Sequence, residues 1–80
     1  MLYAVYILYS EKFNKHYTGV TSNLPQRIES HNFFGKEWTA RYRPWELIFT
    51  KVFESKKEAL KYELWLKTGI GRDFVKTLPH

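Results

Sequence analysis

No cysteine occurs in the 80 residues, so the chain has neither a disulfide staple nor a thiolate metal site. The 4 glycines and 3 prolines are scattered. They form no flexible linker, no repeat and no glycine-rich phosphate loop, and no serine stands in a hydrolase elbow motif. No apolar run approaches the roughly 18 residues of a membrane span. The N-terminus lacks the basic and apolar regions of a signal peptide, so a cytoplasmic protein without membrane association is expected. Histidines 16, 31 and 80 lack the tight spacing of a zinc site. Acidic residues are the scarce charge, 8 against 13 Lys and Arg, for a formal net charge of +5. That balance favours an anionic partner, nucleic acid first.

What is abundant is aromatic bulk, 19% of the chain. A chain this short buries only about two-thirds of its unfolded surface, so large side chains must supply the core. Residues 1–80 read as one domain. Residues 2–9 are apolar on both alternating faces, the mark of a central strand covered twice. Ser10 to Lys15 is a polar turn around Phe13, with Asn14 suited to a left-handed corner. His16 to Val20 returns as a second strand, and Gly19 near its end suggests close backbone approach or a bend. Asn23 is an N-cap and Pro25 is tolerated in the first turn of a helix running to Asn32 or Phe33, with Gly35 ending it. A third strand spans Trp45 to Phe53, with Trp45, Leu47 and Phe49 on one side. Ser55 and Glu58 form a capping box for a second helix, Lys56 to Lys67, closed by Gly69 as a C′ glycine. A last short helix runs from Arg72 to Leu78. The fold class is α+β: a three-stranded antiparallel sheet flanked by helices, in the order β-β-α-β-α-α, because a small sheet must be covered by helices.

Several residues break these patterns. At about 100° per residue, Ala59, Leu60, Leu64 and Leu66 mark an apolar arc on the second helix, and Glu63 and Lys67 fall in its middle. Charged groups are rarely buried without partners. Glu63 is open to an i, i+4 pair with Lys67, an inter-helix salt bridge to Arg27, or a role as anchor for a divalent cation that keeps waters and takes phosphate oxygens as other ligands. Arg27 lies on the apolar face of the first helix with Leu24, Ile28 and His31. Its planar fork suits a phosphate. Tyr6 and Tyr17 are either core residues with tethered hydroxyls or groups that act on a water attacking phosphorus. His31 is open to general base, phosphate ligand or core residue. Lys36, Trp38, Arg41 and Arg43 mix basic and aromatic groups, which suits single-strand or flap binding as well as an ordinary solvated loop.

Taken in order, these residues resemble the GIY-YIG nuclease family, in particular small stand-alone members related to the catalytic domain of the bacterial excision-repair endonuclease. Ala4-Val5-Tyr6 matches the GIY element and Tyr17-Thr18-Gly19 the YIG element. Arg27, His31 and Glu63 match the family's arginine, histidine and metal-binding glutamate. The resemblance covers nearly the whole chain. It implies metal-dependent DNA endonuclease activity, with one Mg²⁺ (or Mn²⁺) held by Glu63, Tyr17 as general base beside Tyr6, Arg27 on the transition-state charge, and His31 aiding phosphate binding or proton transfer. Lys67 joins Lys36, Trp38, Arg41 and Arg43 as a nucleic-acid contact. The implied partner is branched or single-stranded DNA, read by structure rather than by base sequence.

The chain departs from the family pattern at three places. Ala4 and Thr18 are mild changes. Val20 stands where the repair enzymes carry a lysine, so weaker turnover is expected. A nucleic-acid-binding module without turnover is the alternative. Surface tyrosines and tryptophans also suit a homodimer.

Overall fold

Apolar residues on both faces of the first strand place it at the centre of the sheet. In a computed structural model, which describes residues 2–30, 32 and 41–78, β1 (Tyr3–Ser10) lies between β2 (Lys15–Thr21) and β3 (Glu46–Phe53), antiparallel to both. Val5, Tyr6, Ile7 and Leu8 have no exposed surface. The β1–β2 turn is closed by Asn14 at φ 52°, whose side-chain oxygen accepts a hydrogen bond from the Tyr9 hydroxyl at 3.2 Å. This is the left-handed corner expected there.

Two cores share β1. Val5 and Ile7 face α2 (Lys56–Leu66) and α3 (Gly69–Lys76), packing with Ala59, Leu66 and Val75. On the opposite face Tyr6 and Leu8 pack with Trp45, and with Leu24 and Ile28 of α1 (Leu24–Glu29). Helices therefore cover both faces, as a strand apolar on both sides requires. Among the described residues no helix is long and apolar enough to cross a membrane.

Four local expectations are refined or corrected by the fold. Ile7 pairs with Phe49 but Leu8 with Leu47, so Ile48 is an extra residue in β3. This bulge breaks the alternation. Phe49 packs against the helix-side core and Trp45 lies in the opposite one, so they do not share a side. Secondly, the α-helical part of α1 ends at Glu29 with Ser30 as its C-cap, but Ser30 and Asn32 are π-helical, so helical backbone reaches Asn32 as expected; the stop expected at Gly35 lies outside the described residues. Thirdly, Gly69 does not terminate α2 as a C′ residue. Among the described residues no glycine has a positive φ, and Gly69 opens α3 behind the N-cap Thr68. The Thr68 hydroxyl donates to the Trp65 carbonyl at 2.6 Å and accepts from the Gly71 N–H at 3.2 Å, so one side chain ends α2 and starts α3. Fourthly, the buried face of α2 is rotated from the expected arc. Ala59 and Leu66 are buried, whereas Leu60 and Leu64 are 40% and 64% exposed. Tyr62 takes the core side instead, stacked on Phe49 and Trp65. The rotation leaves Glu63 at the border of the buried face.

Candidate active site

The site begins with a close approach in the sheet. Tyr6 and Gly19 are directly opposite in the β1–β2 ladder, and the Tyr6 ring lies over the glycine. A Cβ at position 19 would stand 2.6 Å from the Tyr6 hydroxyl oxygen and 2.7 Å from Cζ, so only glycine admits this ring position. Tyr17 enters the same face of β2. Its ring lies 6.2 Å from Tyr6 and meets Trp45 edge-on at 6.4 Å. Trp45 is held by Asn32, whose side chain donates to the Trp45 carbonyl at 3.2 Å and accepts from its N–H at 2.7 Å.

Arg27 reaches the tyrosines from α1. The Asn23 side chain caps that helix by accepting from the Gln26 N–H at 3.3 Å, and the Asn23 N–H donates to Thr21 Oγ1 at 3.0 Å. The short link from β2 into α1 is therefore fixed at both ends. Leu24 and Ile28 pack below, and the Arg27 guanidinium hydrogen-bonds the Tyr6 hydroxyl. An arginine only donates, so the phenol oxygen accepts.

Glu63 arrives from the other side of the sheet. It shares a face of α2 with Lys56 and Leu60, at the helical spacing i, i+4, i+7. All three line a cavity of about 400 Å³ together with Tyr6, Tyr17 and Arg27. The Glu63 side chain is 17% exposed and its Oε2 lies 3.8 Å from Lys67 Nζ, an i, i+4 pair. That pair realises one of the readings open for Glu63. With the lysine half-exposed, it contributes at most about 0.5 kcal/mol. Burial raises the Tyr6 pKa above its ordinary value; the Arg27 hydrogen bond works against that rise, while Tyr17 and Glu63 nearby add to it. The Tyr6 hydroxyl is therefore protonated at neutral pH.

Tyr6, Tyr17, Arg27 and Glu63, drawn from four different elements, thus line one cavity. His31, Lys36 and Trp38 lie outside the described residues. Arg41 is exposed, Arg43 is half-buried, and neither lines this cavity. Lys67 lies at its border through Glu63. Lys56 was not singled out from the sequence, although its spacing to Glu63 carried the signal. Val20 lines the cavity too.

The oxygen donors of the lining residues are hard: the Glu63 carboxylate, the phenols of Tyr3, Tyr6 and Tyr17, and the hydroxyls of Thr21 and Ser22. Among the described residues no group of three His, Cys, Asp or Glu could hold a metal, so no closed protein cage is built there. The set fits a single hard cation that keeps its waters and takes further oxygens from a phosphate.

The GIY-YIG catalytic domain profile matches residues 2–72. A UPF0213 protein of Staphylococcus haemolyticus is 42% identical over 58 residues, 71% of each chain. The structure-specific endonuclease subunit SLX1 of Cryptococcus neoformans is 40% identical over 78 residues, covering 88% of this chain but only 16% of its own length. A UPF0213 protein of Bacillus halodurans, solved by NMR, superposes with a TM-score of 0.58 at 26% identity, covering 96% of this chain and 84% of the other. With that profile spanning most of its length, this chain is a member of the GIY-YIG nuclease family.

Proposed function

We propose that the protein is a divalent-metal-dependent endonuclease that hydrolyses phosphodiester bonds in DNA and selects its substrate by strand structure. The observation that carries this reading is the Arg27–Tyr6 hydrogen bond in the cavity that Glu63 and Tyr17 also line. Arg27, held by the Tyr6 oxygen, presents its remaining donors to a phosphate and stabilises the charge that develops on it. Tyr17, having first released its own proton to solvent, accepts the proton of the attacking water as a phenolate. Tyr6, protonated and buried, orients the arginine. Glu63 would hold one Mg²⁺ or Mn²⁺, which would supply Lewis-acid stabilisation of the charge that develops on the phosphate. The preference for branched or single-stranded DNA draws support from the relative that is a structure-specific endonuclease subunit.

The test is incubation of wild type, Glu63→Ala, Arg27→Ala and Tyr17→Phe with plasmid, flap and branched DNAs, with Mg²⁺, with Mn²⁺ and with EDTA. Metal-dependent nicking is expected for wild type. Glu63→Ala should abolish it, and Arg27→Ala and Tyr17→Phe should each lower it about 100-fold or more. The Glu63–Lys67 pair favours a second reading, a binding module whose carboxylate is already partnered. DNA binding unchanged in Glu63→Ala, with no cleavage by wild type under any metal, would establish that one instead.

A further inference from the structure

A second cavity, about 880 Å³, lies beside the first. Its floor is apolar, Leu66 and Val75, and its walls carry Lys15, Lys67, Arg72 and Lys76. No aspartate or glutamate lines it among the described residues. The two cavities meet at Tyr17, which lines both. Lys67 stands at the same junction, in the second cavity but paired with Glu63 of the first. Lys15 Nζ lies 5.8 Å from the Tyr42 ring centroid. The basic walls come from separate parts of the chain: the start of β2, the end of α2 and the body of α3.

Like charges repel, so gathering them around a groove that no described carboxylate lines implies an occupant that supplies the negative charge. The continuity through Tyr17 states which occupant. We infer that this groove is the track for the nucleic-acid strand beyond the reacting phosphate, with Lys15, Lys67, Arg72 and Lys76 contacting its successive phosphates. This rests on the nuclease reading of the adjoining cavity. The apolar floor of Leu66 and Val75 gives sugars and bases a surface without hydrogen-bond readout, so the track is indifferent to sequence. None of Lys15, Arg72 and Lys76 stood out in the sequence, because their elements meet only in the fold.

The experiment measures binding rather than cleavage. A fluorescently labelled single-stranded oligothymidylate is titrated in EDTA, across a series of salt concentrations, with wild type, Arg72→Gln/Lys76→Gln, and a control of equal charge change outside both cavities, Lys57→Gln/Lys61→Gln. Each phosphate contact on a single strand contributes about 0.7 to the slope of log K against log salt. Removing the groove pair should make the slope shallower by about 1.4, which is about 25-fold weaker binding at 0.1 M salt if the variants converge at 1 M. The control should keep the wild-type slope, and thermal melting should show all three folded. Equal losses in both double variants would reduce the effect to net charge and overturn the groove. Unchanged binding in Arg72→Gln/Lys76→Gln would overturn it while leaving the nuclease reading in place. No binding by wild type at any salt would overturn both.

Discussion

Tyr6 joins stability to the site. It has no exposed surface, and burial holds its pKa above the ordinary value near 10. In the unfolded chain it ionises near 10; in the folded chain it keeps its proton to higher pH. Its contribution is therefore fully present below about pH 10 and is lost as pH rises from there through the folded pKa. Urea unfolding at several pH values from 8 to 11.5 should show wild-type stability flat at first and then falling. Tyr6→Phe has nothing to ionise at that position and should fall less steeply, the remaining slope including Tyr62, whose pKa is also raised by burial. Equal slopes in the two proteins would remove Tyr6 from the account. Its neighbour Gly19 gives a second prediction. Gly19→Ala places a methyl against the Tyr6 ring, and it should cost about 1–3 kcal/mol in a urea titration and lower any nicking activity by moving Tyr6 away from Arg27. At this scale the sequence was partly legible. The glycine in the second strand signalled close approach, but the ring that approaches became known only through the strand register.

The junction of α2 and α3 shows where element boundaries come from. Gly69 and Gly71 look alike in the sequence, and either could end a helix. In the fold, a Cβ on Gly69 meets nothing within 4 Å, whereas one on Gly71 would run into the Trp65 carbonyl oxygen and the Leu66 backbone. Backbone cannot step aside as a side chain can. Gly71→Ala should therefore be strongly destabilising, about 2 kcal/mol or more by comparison with other overpacked sites. Gly69→Ala, in the first turn of α3 with no left-handed φ, should be neutral or stabilise by up to about 1 kcal/mol. Melting of the two variants under one buffer decides this, and a Gly69→Ala loss as large as that of Gly71→Ala would contradict the assignment. The reading of Gly69 as a stop failed because the stop is made by Thr68, one hydroxyl serving two helix ends. The period of α2 misled for a related reason. Leucine positions marked the arc, yet an aromatic ladder of Phe49, Tyr62 and Trp65 decides which side faces the sheet. Element order and strand pairing were legible because apolar alternation and capping residues are local. The β3 bulge was not, since it depends on pairing with β1.

The whole molecule is organised so that neither core alone assembles the cavity. Arg27 stands on α1, which is anchored by Leu24 and Ile28 to the core around Tyr6, Leu8 and Trp45. Glu63 stands on α2, which is anchored by Ala59 and Leu66 to the core around Val5 and Ile7. The shared wall is β1, whose alternate side chains enter the two cores, so loss of either removes one side of the strand's burial. A domain of this size has about 5–15 kcal/mol of stability in all, and truncating a fully buried leucine costs about 2–5 kcal/mol. Leu66→Ala, made on the α2 side, should therefore lower the urea midpoint for the whole chain. Far-UV circular dichroism and tryptophan fluorescence, to which Trp45 of the opposite core contributes, should report one coincident transition at that lower midpoint. Leu8→Ala, made on the other side, should do the same. Two separated transitions, or a Trp45 environment that survives Leu66→Ala unchanged while helix content is lost, would show that the cores fold independently. The cavity would then be a junction between two units and not a product of the central strand.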